Sequence, residues 1–155
     1  MQEVIRFKGG SKFETAINRI AEQAQKGGVL KVGFLAGAKY PDGEQVAAIA
    51  AKNEFGSSAE KIPSRPFFRN AIAENKGEWG SQIAKIMVAT KYDVEQSLGL
   101  MGTKISGQIR KEIIDFKSPR NSPYTILKKG FDKPLIDTSH MLNSVDYEIT
   151  TDAEP

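Results

Sequence analysis

Between residues 94 and 113 the apolar side chains Val94, Leu98, Met101, Ile105, Ile109 and Ile113 recur at intervals of 4, 3, 4, 4 and 4. Only an α-helix puts such a series on one face, because about 3.6 residues complete each turn. The stripe runs for about five turns, so the chain must build its core against one long helix. Gly99 and Gly102 lie inside the run without breaking its period. Glycines placed there permit close packing of a neighbouring element.

Strand patterns flank this helix. Val29-Leu30-Lys31-Val32-Gly33-Phe34-Leu35 is rich in β-branched and aromatic residues between Gly28 and Gly37. Val145, Tyr147 and Ile149 alternate with Asp146, Glu148 and Thr150, the pattern of a strand with one wet face. The two are expected to pair antiparallel. Val4-Ile5-Arg6-Phe7 reads as a third, edge strand.

Further helices are expected between them. Ser11 and Glu14 have the spacing of a capping box ahead of Phe13, Ile17, Ile20, Ala21 and Ala24, and Gly27-Gly28 supplies the stop. Asp42, in the turn Tyr40-Pro41-Asp42-Gly43, is placed to cap a helix carrying Val46, Ala47, Ile49 and Ala50. That helix ends near Asn53-Glu54-Phe55-Gly56. Pro66 suits the first turn of another, continuing through Asn70, Ala71 and Ile72, and Trp79, Ile83, Ile86 and Met87 mark more helix. Asp137, Thr138 and Ser139 would form a turn that caps a short helix holding Met141 and Leu142.

The expected fold class is α+β: a small antiparallel sheet of about three strands packed against several helices, one of them long. A chain of 155 residues makes one domain, 1–155. By general surface scaling it buries about 68–70% of its unfolded surface, enough for a core without staples. Residues 117–136 hold Pro119, Pro123, Pro134 and Gly130 and show no period, which predicts a flexible loop or arm.

Most chemistry is excluded by residue type. With no Cys and one His, His140, a disulfide framework, a zinc knuckle and a Cys nucleophile are ruled out. Asp137, Ser139 and His140 include the residue types of a hydrolase triad, but Ser139 and His140 are sequence neighbours and cannot align Oγ with Nε2. A cap followed by a surface histidine is the reading there. The Gly99–Lys104 stretch lacks phosphate-loop spacing, and Gly33–Gly37 lacks the three-glycine dinucleotide fingerprint. One His and scattered carboxylates give no metal site. No catalytic residue, metal or cofactor is expected, and the chain is not expected to be an enzyme. No apolar run nears the roughly 18 residues of a membrane span, and Met1–Arg6 does not read as a signal peptide. A soluble, cytosolic chain with no membrane partner is expected.

Charge is informative by position. The net charge is only +3, yet residues 91–133 hold nine basic and five acidic groups, while residues 134–155 hold five acidic groups and no basic ones. If folding separates these segments, the surface is dipolar and suits head-to-tail association of identical subunits. Lys117, Arg120, Lys128, Lys129 and Lys133 face Asp132 alone within 117–133, with Tyr124 among them. Such a segment can touch phosphate backbones without reading sequence, or dock on an acidic neighbour. Arg65 and Arg69 flank Phe67 and Phe68, and their i, i+4 spacing would put both on one helix face. Aromatics in the core with arginines reaching outward is the expected arrangement, with a subunit contact as the next choice.

Two blocks taken together resemble a known family. The first holds Tyr40-Pro41-Asp42-Gly43, Val46–Ala50, Asn53-Glu54-Phe55-Gly56 and Ile62-Pro63-Ser64-Arg65-Pro66-Phe67-Phe68-Arg69. The second holds Pro123-Tyr124-Thr125, then Lys129-Gly130-Phe131-Asp132-Lys133-Pro134-Leu135-Ile136-Asp137-Thr138-Ser139-His140-Met141-Leu142-Asn143-Ser144-Val145. Over residues 29–149 this order resembles the tail-completion, or head–tail joining, neck proteins of long-tailed bacteriophages. One departure is Ser139, where the resemblance leads one to expect Gly; a positive φ there would suit Gly better.

The resemblance implies a non-enzymatic virion protein, made in the bacterial host cytoplasm, that assembles as a ring around the DNA channel. Its implied partners are copies of itself and other neck, head-connector or tail-terminator proteins, with non-specific contact to channel DNA. Arg65, Phe67, Phe68 and Arg69 would brace the core or a neighbour. The 117–136 arm, with Lys117, Arg120, Tyr124, Lys128, Lys129 and Lys133, would order on assembly. A non-specific DNA-binding domain is the alternative from a different class.

Overall fold

The computed structural model describes residues 10–137 and 139–151. The edge strand expected at Val4–Phe7 lies outside them, as does Thr138 of the expected turn. In chain order the described elements are α1 (Gly10–Gln25), β1 (Val29–Phe34), α2 (Val46–Phe55), α3 (Phe67–Ala89), α4 (Val94–Asp115), α5 (Pro123–Lys129), α6 (His140–Asn143) and β2 (Val145–Thr150). The class is α+β with a small antiparallel sheet, and among the described residues that sheet has two strands.

The long stripe forms one unbroken helix, α4, opened by Asp93, whose side chain accepts from the Gln96 amide. α4 packs on α3 and on both strands. Met101, Ile109 and Ile113 are buried along it. Its glycines admit a strand: a Cβ on Gly102 would meet the Tyr147 ring of β2. Trp79 locks the helix pair by donating from Nε1 to Gln108 Oε1 at 2.9 Å.

β1 and β2 pair antiparallel from Val29↔Thr150 to Phe34↔Val145, as their patterns predict. Val145, Tyr147 and Ile149 turn inward, while Asp146, Glu148 and Thr150 are exposed. The core joins Val46 and Ala50 of α2, Phe67 and Ala71 of α3, the end of α4, and Leu135, Met141 and Val145.

Four local expectations need correction. Ser11 lies inside α1, and its carbonyl accepts from Thr15 Oγ1 at 2.7 Å. Asp42 does not cap α2; its carboxylate closes its own turn by accepting from the Glu44 amide at 2.9 Å, and Gln45 holds the N-cap position. Residues 117–136 are not devoid of regular structure. Ser122 accepts from the Thr125 amide, Pro123 begins α5, and Gly130 ends it with a left-handed φ of 83°. Ser139 occupies the N-cap of α6 but makes no side-chain cap bond, because its own φ is +61°. The position that the resemblance leads one to expect as Gly is therefore left-handed.

α1 is set apart from the rest. It has no buried residue, and Phe13 and Ile17 of its apolar stripe are 71% and 47% exposed.

Candidate functional site

Polar groups enter the core where α2 ends and α3 begins. α3 begins after Pro66, which offers no capping side chain, so its first amides need an outside acceptor. Glu54, in the last turn of α2 and only 5% exposed, supplies it. Its Oε2 accepts from the Phe68 amide at 2.9 Å, and its Oε1 accepts from Arg69 Nε at 2.6 Å and from the Arg69 amide at 3.3 Å. Arg69 also covers the exposed Phe55 ring, 5.3 Å from its centroid.

Arg65 is not on the face of Arg69. It precedes α3 and is 7% exposed, where outward reach was expected. Its guanidinium donates to Pro119 O at 3.2 Å, to Asn53 Oδ1 at 3.3 Å and to Asn121 Oδ1 at 3.3 Å. The planar fork ties the end of α2 to the segment before α5, a task suited to Arg and not to Lys. Burial lowers the pKa of this group. Phe67 is 1% exposed, as the core reading expected, and Phe68 is half-buried.

A second junction joins the blocks across the chain. The rings of Tyr40 and His140 lie 4.7 Å apart, and His140 Nε2 is 2.8 Å from Lys39 O. A carbonyl only accepts, so Nε2 carries the proton there. That nitrogen is not available as a base toward Ser139, and no hydrogen bond joins the two side chains among the described residues. Both rings line a pocket of about 340 Å³ with Asp42, Glu44, Lys129 and Asp137. Burial, followed by the charges of Glu44, Asp137 and Asp42, raises the Tyr40 pKa. No group of three or more potential metal ligands converges among the described residues.

The basic segment lies at the far end of α4. Arg120 Nε donates to Asp132 Oδ2 at 2.6 Å, so this pair is made locally, while Asp132 Oδ1 is buried without a partner among the described residues. Lys129 donates to Lys133 O at 2.8 Å and sits 4.9 Å from the Phe131 ring centroid; burial lowers its pKa. Lys133 donates to Ile114 O at 3.3 Å. Lys117 and Lys128 are exposed. Among the described residues none of these four lysines has a carboxylate at ion-pair distance. Between them Tyr124 and Leu127 are 74% and 83% exposed.

A third feature is an apolar groove of about 490 Å³ between β1, α2 and the start of α3, floored by Phe67 and Phe68.

Reading the sequence missed Glu54, Asn53 and Asn121 as core anchors. One signal for Glu54 was present: a helix opening at Pro66 leaves amides that some acceptor must meet. Among the described residues no helix is long and apolar enough to cross a membrane. The chain matches no protein-family model, no curated protein and no solved structure.

Proposed function

We propose that the chain is a structural protein of the neck of a long-tailed bacteriophage, joining the DNA-filled head to the tail as a ring around the DNA channel. One observation supports this reading beyond the resemblance. The two blocks that carry the resemblance interlock as scaffold: the Tyr40 and His140 rings lie 4.7 Å apart, and Val46, Ala50 and Phe67 share one core with Leu135, Met141 and Val145. Glu54 and Arg69 of the first block spend their charged groups on each other and on the first amides of α3. Building blocks of this kind work through their outer surfaces, as neck proteins do. Mass spectrometry of purified virions tests the reading: the chain is expected in finished particles at a fixed copy number, and infectious virions without it would overturn the proposal.

The four lysines of 117–133, which have no carboxylate at ion-pair distance among the described residues, favour a second reading, non-specific DNA binding. It predicts duplex binding at about 150 mM salt with a log–log salt slope near −0.9 for each phosphate contacted. A chain that lines a channel lets DNA slide and binds it weakly.

A further inference from the structure

Arg65 carries a buried charge that the described residues do not balance. It is 7% exposed, and none of their carboxylates lies at ion-pair distance from it. A guanidinium holds five N–H donors, and Arg65 directs three of them to neutral oxygens, those of Pro119, Asn53 and Asn121. The others have no acceptor among the described residues. A charge held away from water without a counter-ion is unfavourable, so this position suits an anion.

The residue beside it lacks an acceptor as well. Asn121 is 9% exposed, and its Oδ1 accepts from Arg65 at 3.3 Å. Its Nδ2 is buried with no hydrogen-bond partner among the described residues. An amide donor left over in a protein interior calls for an oxygen that the chain does not supply.

A cavity of about 470 Å³ is lined by this pair, between the turn at residues 60–65 and the start of α5. Its other charged groups are Glu60, Lys61 and Arg120. Lys52 engages Glu60 at 3.0 Å, and Asp132 engages Arg120 at 2.6 Å. Lys61 has no carboxylate at ion-pair distance among the described residues, so it and Arg65 are the unbalanced charges of the cavity. The Ser122 and Thr125 hydroxyls, 2.9 Å apart, also line it, and their mutual bond uses one of their two protons.

We propose that this cavity binds a phosphate group, with Arg65 and Asn121 as donors at its floor and Lys61 at its rim. Donors reach the cavity from the 60–65 turn, from Asn121 and from the hydroxyl pair. That spread suits a tetrahedral anion with three strongly accepting oxygens better than a planar carboxylate. The site uses none of the four lysines of 117–133 and does not rest on the neck reading. Inorganic phosphate and a DNA phosphodiester share the chemistry, and the test separates them.

Nuclear magnetic resonance of the full, isotope-labelled chain tests the proposal, with sodium phosphate titrated against sodium chloride at equal ionic strength. The Arg65 Nε proton and the Asn121 Nδ2 protons are expected to shift saturably with phosphate and not with chloride. Melting temperature is expected to rise with phosphate in parallel. Lys61→Gln, at an exposed position, is expected to weaken phosphate about two- to fivefold. Asn121→Asp keeps the acceptor for Arg65, deletes the spare donor and supplies the missing negative charge. It is expected to raise the melting temperature in phosphate-free buffer and to abolish the phosphate response.

A short DNA duplex replaces phosphate in a second arm. Movement of the same resonances with duplex assigns the phosphate to a nucleic-acid backbone, and movement with inorganic phosphate alone assigns it to a free anion; either supports the site. Resonances unmoved by duplex and by phosphate up to about 50 mM would overturn the proposal. So would a phosphate response untouched by Asn121→Asp, or acetate bound as tightly as phosphate.

Discussion

Glu54 Oε2 accepts the Phe68 amide at 2.9 Å and so caps, from the last turn of α2, a helix whose bonded amide lies 14 positions on. The Glu54 carboxylate meets at once the helix dipole, two amides and the Arg69 guanidinium. Glu54→Ala strips these donors of their partner inside the fold and is expected to cost about 2–3 kcal/mol. Glu54→Gln keeps one acceptor and should cost less. Urea denaturation with an unchanged m-value checks both.

Arg65 holds residues 119–121 against α2 through three donors. Arg65→Lys keeps the charge but loses the fork, leaving Asn121 and Pro119 short of donors in a buried site. A loss of about 1–3 kcal/mol is expected. Amide exchange should accelerate locally across 116–122, with α4 protection falling less.

Ser139 adopts φ +61°. Left-handed geometry costs an L-residue about 1–2 kcal/mol, and Gly returns part of that gain as chain entropy. Ser139→Gly is therefore expected to stabilise the fold by about 0.5 kcal/mol, while Ser139→Val destabilises it. Thermal melts of the two variants decide the sign.

Two glycines of α4 should answer alanine in opposite ways. A Cβ at Gly107 meets nothing within 4 Å, so Gly107→Ala gains about 1 kcal/mol of helix propensity. At Gly102 the same Cβ would sit 2.6 Å from Tyr147 Cδ2. The overpacking costs about 1–3 kcal/mol and should outweigh the propensity gain.

Tyr40 has a raised pKa, caused mainly by burial and then by Glu44, Asp137 and Asp42. The folded state thus holds the phenolic proton more tightly than the unfolded state. Its stabilising contribution is whole below the ordinary tyrosine range near 10 and is lost as pH rises through the folded value. Tyr40→Phe should flatten that part of the decline above about pH 10, measured as the difference between the two stability curves.

What could be read from residues alone was periodic. Ile105, Ile109 and Ile113 announced α4, and the alternation of Val145 to Thr150 announced both the strand and its wet face. Antiparallel pairing of β1 with β2 was expected as well, beside a third strand at Val4–Phe7 that lies outside the described residues. The polar anchors were not legible, because Glu54, Asn53 and Asn121 have meaning only through Arg65, Arg69 and the first amides of α3, which contact them from distant positions. Arg65 and Arg69 were four apart, but the helix that would have aligned them starts between them. α5 was hidden because seven residues are too few to establish a period. The Ser139 turn was foreseen as a question about φ, raised by the glycine that the resemblance leads one to expect there.

Electron microscopy of a lysate from phage lacking this gene tests the neck reading most directly. DNA-filled heads lying beside separate, complete tails are expected, with joining restored by the native chain and weakened by Lys117→Glu with Lys128→Glu. Normal, infectious virions in that lysate would contradict the account.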